Sequence, residues 1–268
     1  MSAPAEFPPF ETIGGDHGLG LVLIADHAKR ALPAEYGDLG LPAREFDRHI
    51  AYDIGVEHVT RKLAELTGAP AVMGGFSRLL IDPNRGEDDP TLIRQIYDGT
   101  IVPANYPMSS GEREKRIARF YRPYHEAVAG LIEAVAKTSG SAPFVFSIHS
   151  FTPRMQNKQR PWQVGVLWDS DDRAPKPLID MLAQDSSLTV GDNEPYDGAL
   201  RGDTMFRHCI VPGIAHALIE IRQDLIADEA GAHAWAERLA PMLDAINQQP
   251  DIHEYRQFGS RTGPVPQI

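Results

Sequence analysis

Three short apolar runs in this chain each carry a residue able to bind a metal or move a proton. Leu21–Ala25 leads through Asp26 to His27, Phe144–Ile148 ends at His149, and Ala217–Ile221 contains Glu220. Runs of this length and apolar content read as strands. In open parallel sheets ligands bind beyond the carboxyl ends of the strands, where rigid strands hold variable loops. If these runs are neighbours in one sheet, two imidazoles and an acid converge on one small volume, the composition of a metal-dependent hydrolytic site. A lone histidine after a strand more often hydrogen-bonds a turn. Two in equivalent positions tilt the reading toward a shared ligand.

Short apolar runs alternate with longer amphipathic ones, the pattern of an α/β fold with a mostly parallel or mixed central sheet flanked by helices. Further strands are expected at Ala71–Met73, continued by Arg78–Ile81 after a Gly-Gly interruption, and at Val164–Trp168. Ile50, Ile54, Leu63 and Leu66 stand near helical spacing within Asp47–Leu66, and Gly68 with Pro70 ends that run. Ser109 and Glu112 have capping-box spacing and open a helix to about Lys137, kinked at Pro123. Two more helices are expected over Pro177–Gln184 and Glu229–Asn247, the last containing Pro241. The whole chain, 1–268, reads as one domain, with 1–15 a Pro-rich lead. The acidic, Pro- and Gly-rich segment 86–110 reads as a lid or binding loop.

Charge narrows the partners. With 26 basic against 37 acidic residues, a net of −11, the chain has no general attraction for nucleic acid or other anions. An anionic small-molecule substrate would need a local arginine pocket. One cysteine, Cys209, excludes an internal disulfide and a cysteine-rich zinc site. No apolar stretch approaches the roughly 20 residues that span a bilayer, and the expectation is a cytoplasmic protein without a membrane partner.

The segments DHAKRALP (26–33), FDRHIAYDIG (46–55), FSRLLIDPNR (76–85), FSIHSF (146–151), DNEPYDG (192–198) and IEIRQDLI (219–226) together resemble the N-formylglutamate amidohydrolase family. They are spread over most of the chain in the expected order. That family is similar in fold and site to the zinc carboxypeptidases, whose second histidine lies in an Ile-His-Ser-Tyr-like stretch and whose catalytic glutamate lies in a Phe-Glu-Leu-Arg-like one. Ile148-His149-Ser150-Phe151 and Ile219-Glu220-Ile221-Arg222 match these, and Asn84-Arg85 matches the pair that holds a substrate carboxylate.

The resemblance implies one zinc ion on His27 and His149, with Glu220 as general base. In the peptidases a His-x-x-Glu turn supplies an oxygen ligand, whereas His27-Ala28-Lys29-Arg30 ends in arginine, which cannot ligate. The missing oxygen is expected from Asp47, with His49 as its substitute; Asp47 would otherwise cap the following helix. Asp53 and Asp26 are more distant sources, Asp26 better read as a partner that orients a ligating imidazole. Three protein ligands leave a position for water, as in catalytic zinc sites. Glu220 has the alternative role of an ion-pair partner for Arg222, since both face the same side of a strand.

Arg85 is expected to grip a carboxylate in two parallel hydrogen bonds, with Arg78 or Arg222 giving a second positive group for a dicarboxylate or an oxyanion. Tyr196 and His208 fall in segments that would cover the substrate, or would serve only as turn and core residues. Ser150 lacks a Gly-x-Ser-x-Gly elbow, and neither Gly14-Gly15 nor Gly74-Gly75 forms a nucleotide-binding motif. The implied reaction is hydrolysis of N-formyl-L-glutamate to formate and glutamate. A hydrolase for another N-acyl amino acid or peptide, and a non-catalytic carboxylate-binding relative, stand as alternatives.

Overall fold

A computed structural model of the protein describes residues 7–266. Its centre is a seven-stranded mixed sheet in the order β1-β3-β2-β6-β11-β9-β10. These strands are β1 (Phe10–Ile13), β2 (Leu21–Ala25), β3 (Ala71–Gly74), β6 (Phe144–Phe151), β9 (Val164–Leu167), β10 (Val190–Asp192) and β11 (His216–Arg222). The ribbons β4 (Ile96–Tyr97) with β5 (Thr100–Ile101), and β7 (Arg154–Met155) with β8 (Lys158–Gln159), project from loops. The inner strands β3, β2, β6 and β11 run parallel, while β1 and β9 pair antiparallel to their neighbours β3 and β11. This is the α/β architecture expected from the alternation of apolar and amphipathic runs.

Helices cover both faces. Helices α1 (Val56–Thr67), α4 (Pro175–Leu182) and α5 (Glu229–Asn247) pack one face, where Leu21, Leu23, Phe144, Phe146, Ile148, Ala217 and Ile219 share a core with Val59, Leu178 and Leu239. The opposite face carries Val22, Ile24, Val145 and Leu218 against Tyr121, Tyr124 and Val128, from the π-helical turn Ile117–Tyr121 and α3 (Arg122–Ser139). Helix α2 (Ser110–Arg116) leads into that turn, capped by the Ser109 hydroxyl accepting from the Glu112 N–H. The strand alternation sets the chemistry, because His149 and Glu220 stand on the same face as Val145 and Leu218.

Local expectations failed where tertiary constraints took over. Residues 78–81 form a turn, and β3 is complete at Gly74, whose Cα lies so close to Asp26 that an added Cβ would sit 2.1 Å from the Asp26 carbonyl oxygen. Helix α1 starts only at Val56, after Gly55 with φ 83°, so a 3-10 turn over Ala43–Asp47 is followed by loop up to Gly55. The Pro-rich lead contributes the antiparallel edge strand β1. Segment 86–110 carries the β4–β5 ribbon.

Candidate active site

The site sits where β2, β6 and β11 end. In the β6–β11 pairing Glu220 lies directly opposite His149. His27 follows β2, and its carbonyl accepts from the N–H of Asp53, which fastens the 47–55 loop over the strand end. The Ser150 N–H donates to Asp53 Oδ2 and the Ser150 hydroxyl to the Ile54 carbonyl, at 3.3 and 2.9 Å. A pocket of about 500 Å³ opens above these residues, within the ordinary range for small ligands.

Among the described residues, one group of three, His27, Asp53 and His149, offers ligand atoms that all lie within 4.8 Å of one another. All three are buried. Each imidazole is oriented from behind by a buried carboxylate. Asp82 Oδ1 is 2.7 Å from His27 Nε2, and Asp26 Oδ2 is 3.1 Å from His149 Nε2. The opposite nitrogens face Asp53 Oδ2, at 3.6 Å from His27 Nδ1 and 2.9 Å from His149 Nδ1. His27 Nδ1 is sealed from solvent with no hydrogen-bond partner. A buried ring nitrogen left bare is costly unless something binds it. Two imidazoles backed by carboxylates, with an acid oxygen between them, fit the donor set and outer support of a divalent metal ion.

The charges of the site follow from burial and neighbours. Burial, with Arg78 close by, lowers the His27 pKa to about 4 against the pull of Asp82, which keeps the ring neutral as a ligand must be. Burial works against a charged His149, but the hydrogen bond and charge of Asp26 raise its pKa. Asp26 also accepts from the hydroxyls of Tyr124 and Thr204, at 2.7 and 2.6 Å. Burial raises the Glu220 pKa, with His149, Arg78 and Arg160 opposing. Its Oε2 has no partner. Asp203, also on the pocket wall, is pushed up to about 7 by burial against the Phe206 N–H it accepts from.

His27, His149, Glu220, Arg78, Asn84, Arg85 and Tyr196 are brought together around this pocket. Three placements correct the sequence reading. Asp47 lies on the surface, its side chain 69% exposed and paired with Arg30, the arginine at the departing turn position. The nearby oxygen belongs instead to Asp53. His49 lines the pocket outside the ligand group, 3.6 Å from Asp98 and against the Tyr97 ring, and burial lowers its pKa to about 4. Arg222 does not line the pocket or pair with Glu220; it donates to Asp224 at 2.7 Å and to the Trp162 carbonyl. His208 lies behind the pocket, hydrogen-bonded and stacked against His125.

Arg78 donates to Asp53 Oδ1 and lies 3.3 Å from the Tyr97 hydroxyl. Asn84 is fixed through both ends: its N–H donates to Asp82 Oδ1 and its side-chain oxygen accepts from the Thr204 N–H. Arg85 Nε is buried without a partner, 3.9 Å from Asp82. The Tyr196 hydroxyl accepts from Arg160, whose guanidinium stacks on the Tyr196 and Phe151 rings. The 192–198 loop carrying Tyr196 is clasped from the C-terminal segment, where Arg261 donates to both oxygens of Asp197.

Asp82, Arg94 and Tyr97 escaped the sequence reading. Asp82 had a local signal, since Asp-Pro-Asn has the form of a side-chain turn and the Asn84 N–H does bond back to Asp82. Arg94 and Tyr97 fall inside segment 86–110, expected as a lid or binding loop, but no local signal singled out either residue; the β4–β5 ribbon sets them on the pocket wall.

Paired imidazoles and a buried acid at the strand ends of an α/β sheet, with arginines on the pocket wall, are a set of groups suited to hydrolysis. The chain belongs to the N-formylglutamate amidohydrolase family, whose model matches residues 19–227. It is similar to a solved gene product of Agrobacterium tumefaciens, at 32% identity and TM-score 0.81, covering 88% of this chain and 94% of that one. An N-formylglutamate amidohydrolase from Ralstonia eutropha shares the fold at 23% identity and TM-score 0.67, over 90% and 97% of the two chains. No curated protein matches the chain by sequence. No helix among the described residues is long and apolar enough to cross a membrane.

Proposed function

We propose that this amidohydrolase is zinc-dependent and cleaves the amide bond of a small N-acylated amino acid, N-formyl-L-glutamate above others, giving formate and L-glutamate. The metal ligands in this reading are His27, Asp53 and His149. A zinc ion there would supply Lewis acidity, polarising the formyl carbonyl and acidifying a water molecule.

The chain's own residues do the rest. Asn84 and Arg85 hold the amino-acid carboxylate, the guanidinium through the Nε that has no partner of its own. Arg78, buried beside Asp53, sets a fixed positive charge where negative charge develops on the formyl oxygen. Glu220 accepts a proton from the attacking water as the new C–O bond forms. It returns that proton to the amide nitrogen as the C–N bond breaks, so one water is consumed and no proton is left over. A carboxyl group whose pKa is raised by burial serves both steps near neutral pH.

The observation that carries this reading is Glu220: a buried acid with a free oxygen, facing the same pocket as the three ligand candidates and next to His149 across the sheet. Glu220→Gln is expected to retain one metal per chain and lose formate release by about 10²- to 10⁴-fold, the contribution of a positioned base. His149→Ala is expected to lose the metal. Wild-type turnover by Glu220→Gln would remove Glu220 from this role. A pocket of about 500 Å³ also admits acyl groups larger than formyl. N-formyl, N-acetyl and peptide substrates at matched concentration separate that second reading from the first.

A further inference from the structure

Two arginines on the pocket wall have a buried Nε without an acceptor beyond Arg78, which is committed to Asp53: Arg85 and Arg94. Arg85 is taken up by the amino-acid carboxylate in the reading above. Arg94 lies just before β4, with its guanidinium carbon 4.5 Å from the centre of the Tyr97 ring. Its position is fixed from below, because Leu92 and Ile93 are buried and its backbone carbonyl accepts from Asn105 at 2.7 Å. No carboxylate among the described residues forms an ion pair with it. Asp98, on the same ribbon, is engaged by Arg48 at 2.9 Å.

Arg160, the other guanidinium near the mouth, is a weaker candidate for a ligand charge. It already donates to the Tyr196 hydroxyl and the Thr152 carbonyl, and with Arg78 it bears on Glu220 at the reacting end. Arg94, by contrast, lines the pocket with a buried Nε that has no acceptor, its guanidinium over the Tyr97 ring.

We infer that Arg94 is the specificity-determining residue that binds the side-chain carboxylate of the substrate, with Tyr97 backing its guanidinium, so that the enzyme selects acidic N-acyl amino acids over their neutral amides. This rests on the reading of Arg85 as the α-carboxylate clamp. Two arginines in one pocket, each with an Nε that has no acceptor, then meet the two carboxylates of one dianion. A site built to bond a charged group leaves its donors stranded when a neutral isostere binds, which is the strongest form of discrimination available without editing.

The test uses the metal-loaded enzyme with N-formyl-L-glutamate and N-formyl-L-glutamine, which differ in charge and hardly in shape. Wild type is expected to favour the glutamate compound. Arg94→Gln should compress that preference by about 10- to 100-fold, mainly through KM, as loss of a charge-assisted bond to a bound carboxylate implies. Arg94→Lys, keeping charge without the fork, should recover part of it. Calorimetric titration of L-glutamate against L-glutamine reads the same subsite without turnover, with Arg94→Gln losing the difference between them. An unchanged preference in Arg94→Gln, or equal losses on both substrates, overturns the inference. A wild type that releases no formate from either compound refutes the proposed reaction, while the titration still decides for or against Arg94.

Discussion

Asp82 offers the sharpest check on how the imidazoles are held. Its Oδ1 takes two contacts, 2.7 Å from His27 Nε2 and 3.0 Å from the Asn84 N–H, and it is 2% exposed. Holding a proton on Nε2 leaves the Nδ1 lone pair of His27 directed at the site. In Asp82→Asn an amide oxygen can still accept both bonds, so the tautomer survives and only the charge is lost. A charge-assisted hydrogen bond is worth about 1.5–3 kcal/mol against 0.5–1.5 for a neutral one. The difference, about 1–1.5 kcal/mol, corresponds to roughly a tenfold weaker hold on zinc. Asp82→Ala removes the acceptor itself, leaves Nε2 buried and unpaired, and frees the ring to carry its proton on Nδ1. That loss should reach about 100-fold, the upper end found for partners behind metal ligands. Competition with a chromophoric chelator measures both affinities at fixed pH, and the expected order is wild type, then Asn, then Ala. Equal zinc affinity in all three proteins would mean that His27 does not bind metal through Nδ1.

Stability should fall on mild acidification through a pair the chemistry does not use. His125 Nε2 donates to the Pro83 carbonyl, so its Nδ1 accepts from His208 Nε2, and burial holds the two pKa values down to about 3 and about 4. The unfolded rings, near 6.5, take up protons that the folded rings refuse, so this stability is complete above pH 6.5 and drains as pH falls toward 4. Each ring accounts for about 2 kcal/mol between pH 7 and pH 5. Urea unfolding of the metal-free protein at both pH values should show the loss, and His208→Gln should remove about half of it; an unaltered slope would place the titration elsewhere. Gly165 passes under the 192–198 loop so closely that an added Cβ would lie 1.8 Å from the Glu194 carbonyl oxygen. Gly165→Ala is therefore expected to cost about 1–3 kcal/mol and to raise KM by displacing Tyr196; a variant as stable as wild type with the same KM would show that the loop gives way freely.

The central strands were legible because their burial leaves little choice of residue. Leu21–Ala25 and the first five residues of β6 are buried throughout, and runs of that kind appear in sequence as apolar segments, broken in β6 only by Ser147. The edge strands were not. β1 has no fully buried residue and β10 only one, and each exists because a neighbouring strand offers it a partner. The turn at 78–81 shows the reverse error. Ser77, Leu79, Leu80 and Ile81 are as buried as any strand, but the Ser77 hydroxyl and the Arg78 N–H both bond to the Ala51 carbonyl, tying the segment to the 47–55 loop in place of the sheet.

The same loop decided the site. His149 and Glu220 could be located from sequence because strands carry them and a strand fixes which side of the sheet a residue faces, and His27 because it follows a buried strand by two residues. The oxygen between the imidazoles comes from irregular chain, where sequence distance says nothing about direction. Asp47 and Asp53 are six residues apart, both acidic, both near aromatic residues. What separates them is one backbone bond, from the Asp53 N–H to the His27 carbonyl, together with Gly55, whose left-handed conformation turns the chain into α1. That bond delivers Asp53 to the strand end, while Arg30, standing where the peptidase turn has its carboxylate, draws Asp47 to the surface. The arginine that removes one oxygen ligand from the expected turn thus also occupies the acid that would have replaced it, which leaves Asp53, held by Arg78, as the carboxylate between the two imidazoles.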